Sequence, residues 1–312
     1  MKIEAAKVPT MYFIGVTTSK SSIMKVFPKW SEALNLGGAV LKGIDIEIHA
    51  DPEIYRQVVR FIKEDPLSLG ALVTTHKIDL YNAAKDLFDY LDPFAVQFNE
   101  LSSISKENGR LCGHAKDPIT CGMALEEFVP KDYWKDHPEA SVFIMGAGGS
   151  AISMCSYLTQ PKFAGNYPRK IIISNRSQER LDSIRDINRT LNPGGIEFEY
   201  YLTPEPGQND RVMGDLSDGS LVINATGLGK DRPGSPVLDN AVFPGNGIVW
   251  EINYRGDLLF LHQALLQQKE RNLIVEDGWM YFIYGWTQVI AEVFHMPIQG
   301  EKLKMCSELA KM

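Results

Sequence analysis

Three glycines and three small residues carry the clearest chemical signal in the chain. Gly146-Ala147-Gly148-Gly149-Ser150-Ala151 follows the apolar run Val142-Phe143-Ile144-Met145, so a strand stops at a glycine-rich turn and the chain reopens as a helix. This is the form of a dinucleotide pyrophosphate cradle. Gly146 permits the tight turn, Gly148 lets the backbone approach phosphates, and Ala151, in place of a third glycine, still allows close helix–strand packing. Bare amides at the helix start then face the anion. A glycine pattern alone also serves as a plain structural turn, so its neighbours decide. Lys170-Ile171-Ile172-Ile173-Ser174-Asn175 supplies a second, β-branched strand after a helical stretch over 151–158, which completes a βαβ unit. At its end, where a carboxylate would bind ribose hydroxyls, stand Asn175, Arg176 and Ser177, with Arg180 beyond. A planar guanidinium suits a 2′-phosphate that a carboxylate would repel, so the expected cofactor is NADP rather than NAD. The competing view is a solvated arginine pair at i, i+4. The pattern points to a nucleotide-dependent redox enzyme.

A second candidate lies near the start. Gly15-Val16-Thr17-Thr18-Ser19-Lys20-Ser21-Ser22 leaves a strand and enters a helix, offering hydroxyls and amides for a carboxylate. Taken alone, the segment is more simply a helix cap from Ser21 or Ser22. The six histidines and four cysteines show no ligand spacing, so no metal is expected.

The elements that must position these groups fall into two sets. Before the glycine turn, strand-like runs at 11–16, 43–49 and 69–74 alternate with helix-like stretches at 22–34 and 52–63, a separate α/β unit. A boundary is expected near Asp117, followed by a mostly helical segment and a polar loop over 131–138. Beyond the second strand come a helix over 178–191, a strand over 197–202 and a Pro-, Gly- and Asp-rich connection over 203–219. Strands at 221–225, 248–253 and 272–276, a loop over 227–245 and a helix over 258–269 complete the series. Six β segments after residue 140 predict a doubly wound parallel sheet. The last helix, 279–294, carries Trp279, Tyr281, Phe282, Tyr284 and Trp286, read as core.

Composition bounds the partners. The chain has 312 residues, 44% hydrophobic and 23% charged, with a formal charge of −7. That length accommodates two domains, and the acidic balance argues against nucleic acid and anionic membrane surfaces. Small molecules are the expected partners. No apolar run reaches the length of a membrane span, and Met1 to Lys7 lack the apolar block of a signal peptide, so a cytoplasmic protein with free thiols at Cys112, Cys121, Cys155 and Cys306 is expected.

Taken together, the motifs resemble those of the shikimate dehydrogenase family over nearly the whole chain. Ser19 and Ser21 resemble its Ser-x-Ser carboxylate grip. The strand-end segment Gly70-Ala71-Leu72-Val73-Thr74-Thr75-His76-Lys77 is similar to the one bearing the family's lysine, so the resemblance makes Lys77 catalytic and Thr74 substrate-binding. Gly109-Arg110-Leu111-Cys112-Gly113-His114-Ala115-Lys116-Asp117 makes Asp117 the partner aspartate. The resemblance also gives Gly146 to Ala151 and Asn175, Arg176, Ser177 and Arg180 to NADP, Asn224-Ala225-Thr226 to the nicotinamide side, and Tyr254 to the substrate carboxylate. It implies a substrate domain over 1–117 completed by 278–312, and a Rossmann-type NADP domain over 118–277, in a monomer or homodimer. In such an enzyme a lysine ammonium delivers the proton to a ketone oxygen while hydride reaches its carbon. A cleft in which Lys77 and Asp117 face the cofactor is expected. The implied reaction interconverts 3-dehydroshikimate and shikimate, a step of aromatic amino acid biosynthesis.

Departures cluster on the substrate side. Leu72 replaces an asparagine, and the lysine segment lacks the usual proline and is one residue shorter before Lys77. Ser102, assigned to the substrate ring, replaces another asparagine; His114-Ala115-Lys116 replaces Asp-Asn-Thr, and Gly285 falls where a glutamine is expected. A site built for hydroxyls discriminates strongly, so a related ring, as in quinate- or aminoshikimate-type dehydrogenases, stays open. A regulatory module that keeps the fold without turnover is the remaining alternative.

Overall fold

The computed structural model describes residues 3–191, 195–230 and 232–311. These residues form two compact units, one running up to Lys116 and resuming at Ile283, the other spanning Asp117–Phe282.

The first unit opens with β1 (Thr10–Gly15), α1 (Ile23–Ala33), β2 (Val40–Asp45), α2 (Pro52–Glu64), β3 (Ser68–Val73) and α3 (Lys77–Ala84). It continues with β4 (Tyr90–Leu91), α4 (Pro93–Phe98), β5 (Ser103–Glu107) and β6 (Arg110–His114). α2 shows why such segments become helices here. Asp51 caps it by accepting from the Glu53 amide, Pro52 fits the first turn, and Tyr55, Val58, Val59 and Ile62 form one buried stripe. The sheet order is β2-β1-β3-β5-β6-β4. β1 runs parallel to β2 and β3, whereas β3, β5 and β6 are antiparallel neighbours. β5 and β6 are joined through Asn108 and Gly109, at φ 51° and 77°, the backbone of a two-residue hairpin turn. Sequence periodicity passed over this hairpin although its Asn-Gly pair was in plain view.

The second unit holds α5 (Asp117–Glu126), α6 (Tyr133–Asp136), β7 (Val142–Met145), α7 (Gly149–Leu158), β8 (Lys170–Asn175), α8 (Gln178–Asn188) and β9 (Glu197–Leu202). α9 (Pro206–Gly214), β10 (Leu221–Asn224), β11 (Ile248–Glu251), α10 (Leu259–Arg271) and β12 (Ile274–Glu276) complete its sheet. The order is β12-β11-β10-β7-β8-β9 and every pairing is parallel. This is the doubly wound sheet of an α/β fold. β7 and β10 are buried throughout, as strands covered on both faces must be. α11 (Trp279–Val293) carries the chain across the unit boundary into α12 (Glu301–Lys311). In the first unit, the Trp30 indole on α1 donates to the Cys306 carbonyl on α12 at 2.8 Å.

Several sequence expectations need correction. Residues 131–138 are not all polar loop: α6 buries Tyr133 and Trp134, and the Tyr133 hydroxyl donates to the Gly219 carbonyl at 2.7 Å. The connection over 203–219 contains α9, begun by Pro206 and a Glu205/Gln208 capping box. Its Pro and Gly content had masked the capping signal. The strand expected at 43–49 runs instead over Val40–Asp45, because pairing of Thr10 with Val40 sets its start. Beyond it Ile48 is exposed and His49 turns to φ 57°.

Close packing makes one glycine decisive. A Cβ on Gly122 of α5 would lie 2.0 Å from the Tyr157 ring of α7. Gly122→Ala should therefore cost about 1–3 kcal/mol in urea unfolding through overpacking, despite its gain in helix propensity. Equal or greater stability in the variant would show that the two helices yield freely.

Candidate functional site

In the second unit the chain goes from β7 to β8 on one side and later returns to β10 on the other, so the carboxyl ends of β7 and β10 flank a topological switch point. Gly146 ends β7 with φ 117°, and a Cβ there would sit 2.4 Å from the Ala225 carbonyl oxygen after β10. Only glycine fits. Gly148 caps α7 without a side-chain hydrogen bond. A Cβ on Gly148 or Gly149 would meet no atom within 4 Å, so the space beside these two residues is open. Ala147 and Ala151 are buried, and the Tyr281 hydroxyl donates to Ser150 Oγ at 3.2 Å. A ten-residue helix with no side-chain cap and open space beside its first residues fits a pyrophosphate.

The end of β8 is shaped by its own side chains. Asn175 Oδ1 accepts from the Ser177 amide at 2.9 Å, and Ser177 Oγ accepts from the Arg180 amide at 3.4 Å as the cap of α8. Arg176 and Arg180 are exposed. Among the described residues neither guanidinium has a carboxylate partner, so both charges stay available to an anion.

β10 and β11 end in a buried network that sequence reading did not single out. The fully buried Glu251 accepts from Asn224 Nδ2 and Asn253 Nδ2, both at 2.6 Å, and from the Asn253 amide at 2.9 Å. Both asparagine amides also donate to the Leu228 carbonyl at 3.2 Å. Asn224 Oδ1 accepts from the Thr226 amide and hydroxyl, so the Asn224-Ala225-Thr226 turn is tied to Glu251. Burial pushes the Glu251 carboxyl up to about 7, against the hydrogen bonds it accepts. A carboxylate closing the apolar run Ile248–Glu251 was the available signal. Tyr254 belongs to this same unit and stacks on Phe282 at 4.3 Å, with the Lys230 ammonium 5.5 Å from its ring.

The first unit gathers the other candidates at the ends of β1 and β3. Ser19 lies in a single 3₁₀ turn after β1, and Ser21 follows it. The turn is pinned by Asp45, which accepts from the Thr18 amide at 2.8 Å and hydroxyl at 2.5 Å. Thr74 follows β3 and donates its amide to the Ile14 carbonyl at 3.0 Å. Thr75 then takes φ 49°, a costly conformation for a β-branched residue, and the His76 amide turns back to the Thr74 carbonyl. This tight turn absorbs the short lysine segment and makes Lys77 the first residue of α3. His76 is fully buried, with Nδ1 3.2 Å from the Tyr55 hydroxyl. The Lys77 carbonyl accepts from the Leu101 amide at 3.1 Å, beside Ser102. Ser102 is buried, and its hydroxyl accepts from the Lys116 amide at 2.7 Å. Asp117 opens α5 in the second unit. Among the described residues no group of three or more His, Cys, Asp or Glu is placed to hold a metal ion, and no helix is long and apolar enough to cross a membrane.

Comparison with known proteins adds relatives to this geometry. No family model matches the chain. It is 26% identical over 191 residues to the NADP(+) shikimate dehydrogenase of Lactococcus lactis subsp. cremoris, covering 61% of either chain. It is 25% identical over 265 residues to that of Bacillus cereus, covering 81% of this chain and 86% of the relative. The chain thus spans less than two thirds of the Lactococcus relative but most of the Bacillus one. Among solved structures, shikimate 5-dehydrogenase from Listeria monocytogenes in complex with shikimate and NAD has a TM-score of 0.71 at 17% identity, covering 99% of both chains. Quinate dehydrogenase from Corynebacterium glutamicum in complex with NAD has a TM-score of 0.70 at 16% identity, covering 97% of this chain and 98% of that one. At these identities the structures establish the shared fold.

The Glu251 network has a pH signature. Its carboxyl ionises near 7 in the native state against an ordinary value of 4.5, so the folded protein holds an extra proton between them and this group's contribution to stability falls as pH rises from 4.5 to 7. Glu251→Gln removes that titration. The loss of unfolding free energy between pH 5 and 8, measured in urea, should shrink in the variant by about 1–3 kcal/mol; an unchanged slope would place the Glu251 pKa at its ordinary value.

Proposed function

We propose, from its kinship with the shikimate dehydrogenases in sequence and fold, that this chain is an NADP-dependent oxidoreductase that interconverts a cyclic hydroxy carboxylate and its ketone, with shikimate and 3-dehydroshikimate the first pair to test. The observation that carries this reading is the start of α7, uncapped by any side chain and with open space beside Gly148 and Gly149, in the same unit as two exposed arginines that have no carboxylate partner among the described residues. In this reading Gly146, Ala147, Gly148, Gly149, Ser150 and Ala151 form the pyrophosphate cradle. Asn175, Arg176, Ser177 and Arg180 take the 2′-phosphate, and the turn Asn224-Ala225-Thr226 lines the nicotinamide side. Bound NADPH supplies the hydride.

The chain's own residues do the rest. Lys77 gives its ammonium proton to the ketone oxygen as the carbonyl carbon is reduced, and takes it back in the reverse direction. Asp117 hydrogen-bonds the substrate hydroxyl and orients Lys77. Ser19 and Ser21 hold the carboxylate on a turn that Asp45 pins, with Tyr254 as a further donor. Thr74 and Ser102 border the ring. Residues 1–117 with 278–312 serve the substrate, and 118–277 hold the cofactor and contribute Tyr254 to the substrate carboxylate.

A second reading concerns the ring alone. A Cβ on Gly285 would meet no atom within 4 Å, so the space beside this residue is unfilled. A quinate-type ring with an additional substituent is the alternative substrate that this space favours.

Turnover tests both readings. Lys77→Met should lower kcat by at least about 10³-fold while NADP affinity stays within twofold, measured by NADPH absorbance and calorimetry with shikimate and quinate. Full activity in the variant, or no turnover by the wild type with either acid, would refute the assignment. Arg176→Gln should weaken NADP binding by about 10- to 100-fold, at the scale of a charged hydrogen-bonded contact, and leave NAD binding unchanged. Equal loss for both cofactors would remove Arg176 from the 2′-phosphate site.

A further inference from the structure

His114, Ala115 and Lys116 are each held from the side as the chain leaves β6, and the three holds converge on the residue just before Asp117. His114 ends β6, and its Nε2 lies 3.3 Å from Glu292 Oε1 on α11. Lys116 Nζ donates to the other oxygen, Glu292 Oε2. The Ala115 amide donates to Asp92 Oδ1 at 3.3 Å, the same oxygen that caps α4 through the Ala95 amide at 2.6 Å. The Lys116 amide donates to Ser102 Oγ at 2.7 Å. All of these groups belong to the first unit.

Glu292 meets the side chains of two of the three residues, while the Ser102 hydroxyl ties the backbone of the same two, donating to the His114 carbonyl at 3.4 Å and accepting from the Lys116 amide. The side chains of His114, Lys116 and Glu292 are 10%, 16% and 26% exposed, so the cluster sits largely out of water. Burial pushes Glu292 up, but the Lys116 hydrogen bond and the charges of His114, Lys116 and His295 outweigh it and leave it below the usual carboxylate range. Burial pulls His114 down against the charge of Glu292. Its Nδ1 has no hydrogen-bond partner among the described residues, so the ring is placed by its approach to Glu292 and by packing against the Tyr90 ring at 5.8 Å. A buried ion pair adds little net stability, because desolvation cancels most of its attraction, yet it fixes geometry well.

We propose that Glu292 is a positioning residue: by clamping His114 and Lys116 it sets where the backbone enters Asp117. This rests on the role given to Asp117 above. Since Lys116 is held at its amide by Ser102 and at its ammonium by Glu292, loss of either side-chain contact frees residue 116 to rotate. The carboxylate of Asp117 is then misplaced without any change in the cofactor cradle. Small misplacements of this kind lower the rate of the chemical step more than binding.

Glu292→Gln keeps the shape and removes the charge; Lys116→Met removes the other partner and keeps the stem. Each should lower kcat by about 10- to 100-fold with KM for NADP within twofold, and the double variant should be no worse than the weaker single. A structural role alone would instead lower activity only in step with the folded fraction, and unchanged kcat in a folded variant would overturn the proposal. Amide hydrogen exchange supplies a readout independent of turnover. Protection of the Lys116 amide should fall at least tenfold in Glu292→Gln while the β7 and β10 amides keep theirs. If the wild type turns over no cyclic acid, the functional reading fails, and the exchange result still decides: undiminished protection at Lys116 overturns the clamp.

Discussion

The second unit depends on one steric constraint, the approach of Gly146 to the Ala225 carbonyl at the end of the neighbouring strand. A side chain at residue 146 would collide with that oxygen at 2.4 Å, and the positive φ of Gly146 directs the chain from β7 into α7. Because β7 and β10 pair directly, this contact brings the start of α7 beside the Asn224-Ala225-Thr226 turn. Space is open beside Gly148 and Gly149 at that helix start, where an anion would gain from both amide hydrogen bonds and the helix dipole. Glu251 then secures the far side by holding Asn224 and Asn253. A fully buried carboxylate is costly by itself. Three donated hydrogen bonds offset part of that cost and fix the turn.

The first unit solves a different problem, since its polar side chains stand on short connections rather than on one helix start. Each connection is tied down from a neighbouring element. Asp45 holds the turn bearing Ser19, the Thr74 amide joins β1, and the Lys77 carbonyl receives Leu101. Thr75 stores strain at φ 49° so that Lys77 begins a helix. Backbone strain of this kind survives only where surrounding contacts over-determine it. The fully buried His76, with its ring against Tyr55, is such a contact.

Much of the second unit was legible because its signals are local. An apolar strand, three glycines and a helix are contiguous in the chain, and helices separate the six strands everywhere except between β10 and β11. α9 and α6 were missed for opposite reasons. The capping box of α9 lay inside a segment rich in helix breakers, while α6 is a single turn held by the Tyr133–Gly219 hydrogen bond. No window of sequence contains that second partner. The β5–β6 hairpin was legible through Asn108 and Gly109, but its strands are short and half polar, so periodicity gave no prompt.

The sequence by itself determined the doubly wound sheet, the glycine turn, the arginines after β8 and the resemblance that singles out Lys77 and Asp117, because each of these is written in residues adjacent along the chain. Tertiary structure alone decided that Glu251 anchors the Asn224 turn, that Asp45 pins the Ser19 segment and that Glu292 meets both His114 and Lys116. Those partners lie 27, 27 and 176 residues apart. Hydrogen bonds and ion pairs act over a few ångströms, and which distant side chains come that close is fixed by strand order and helix packing.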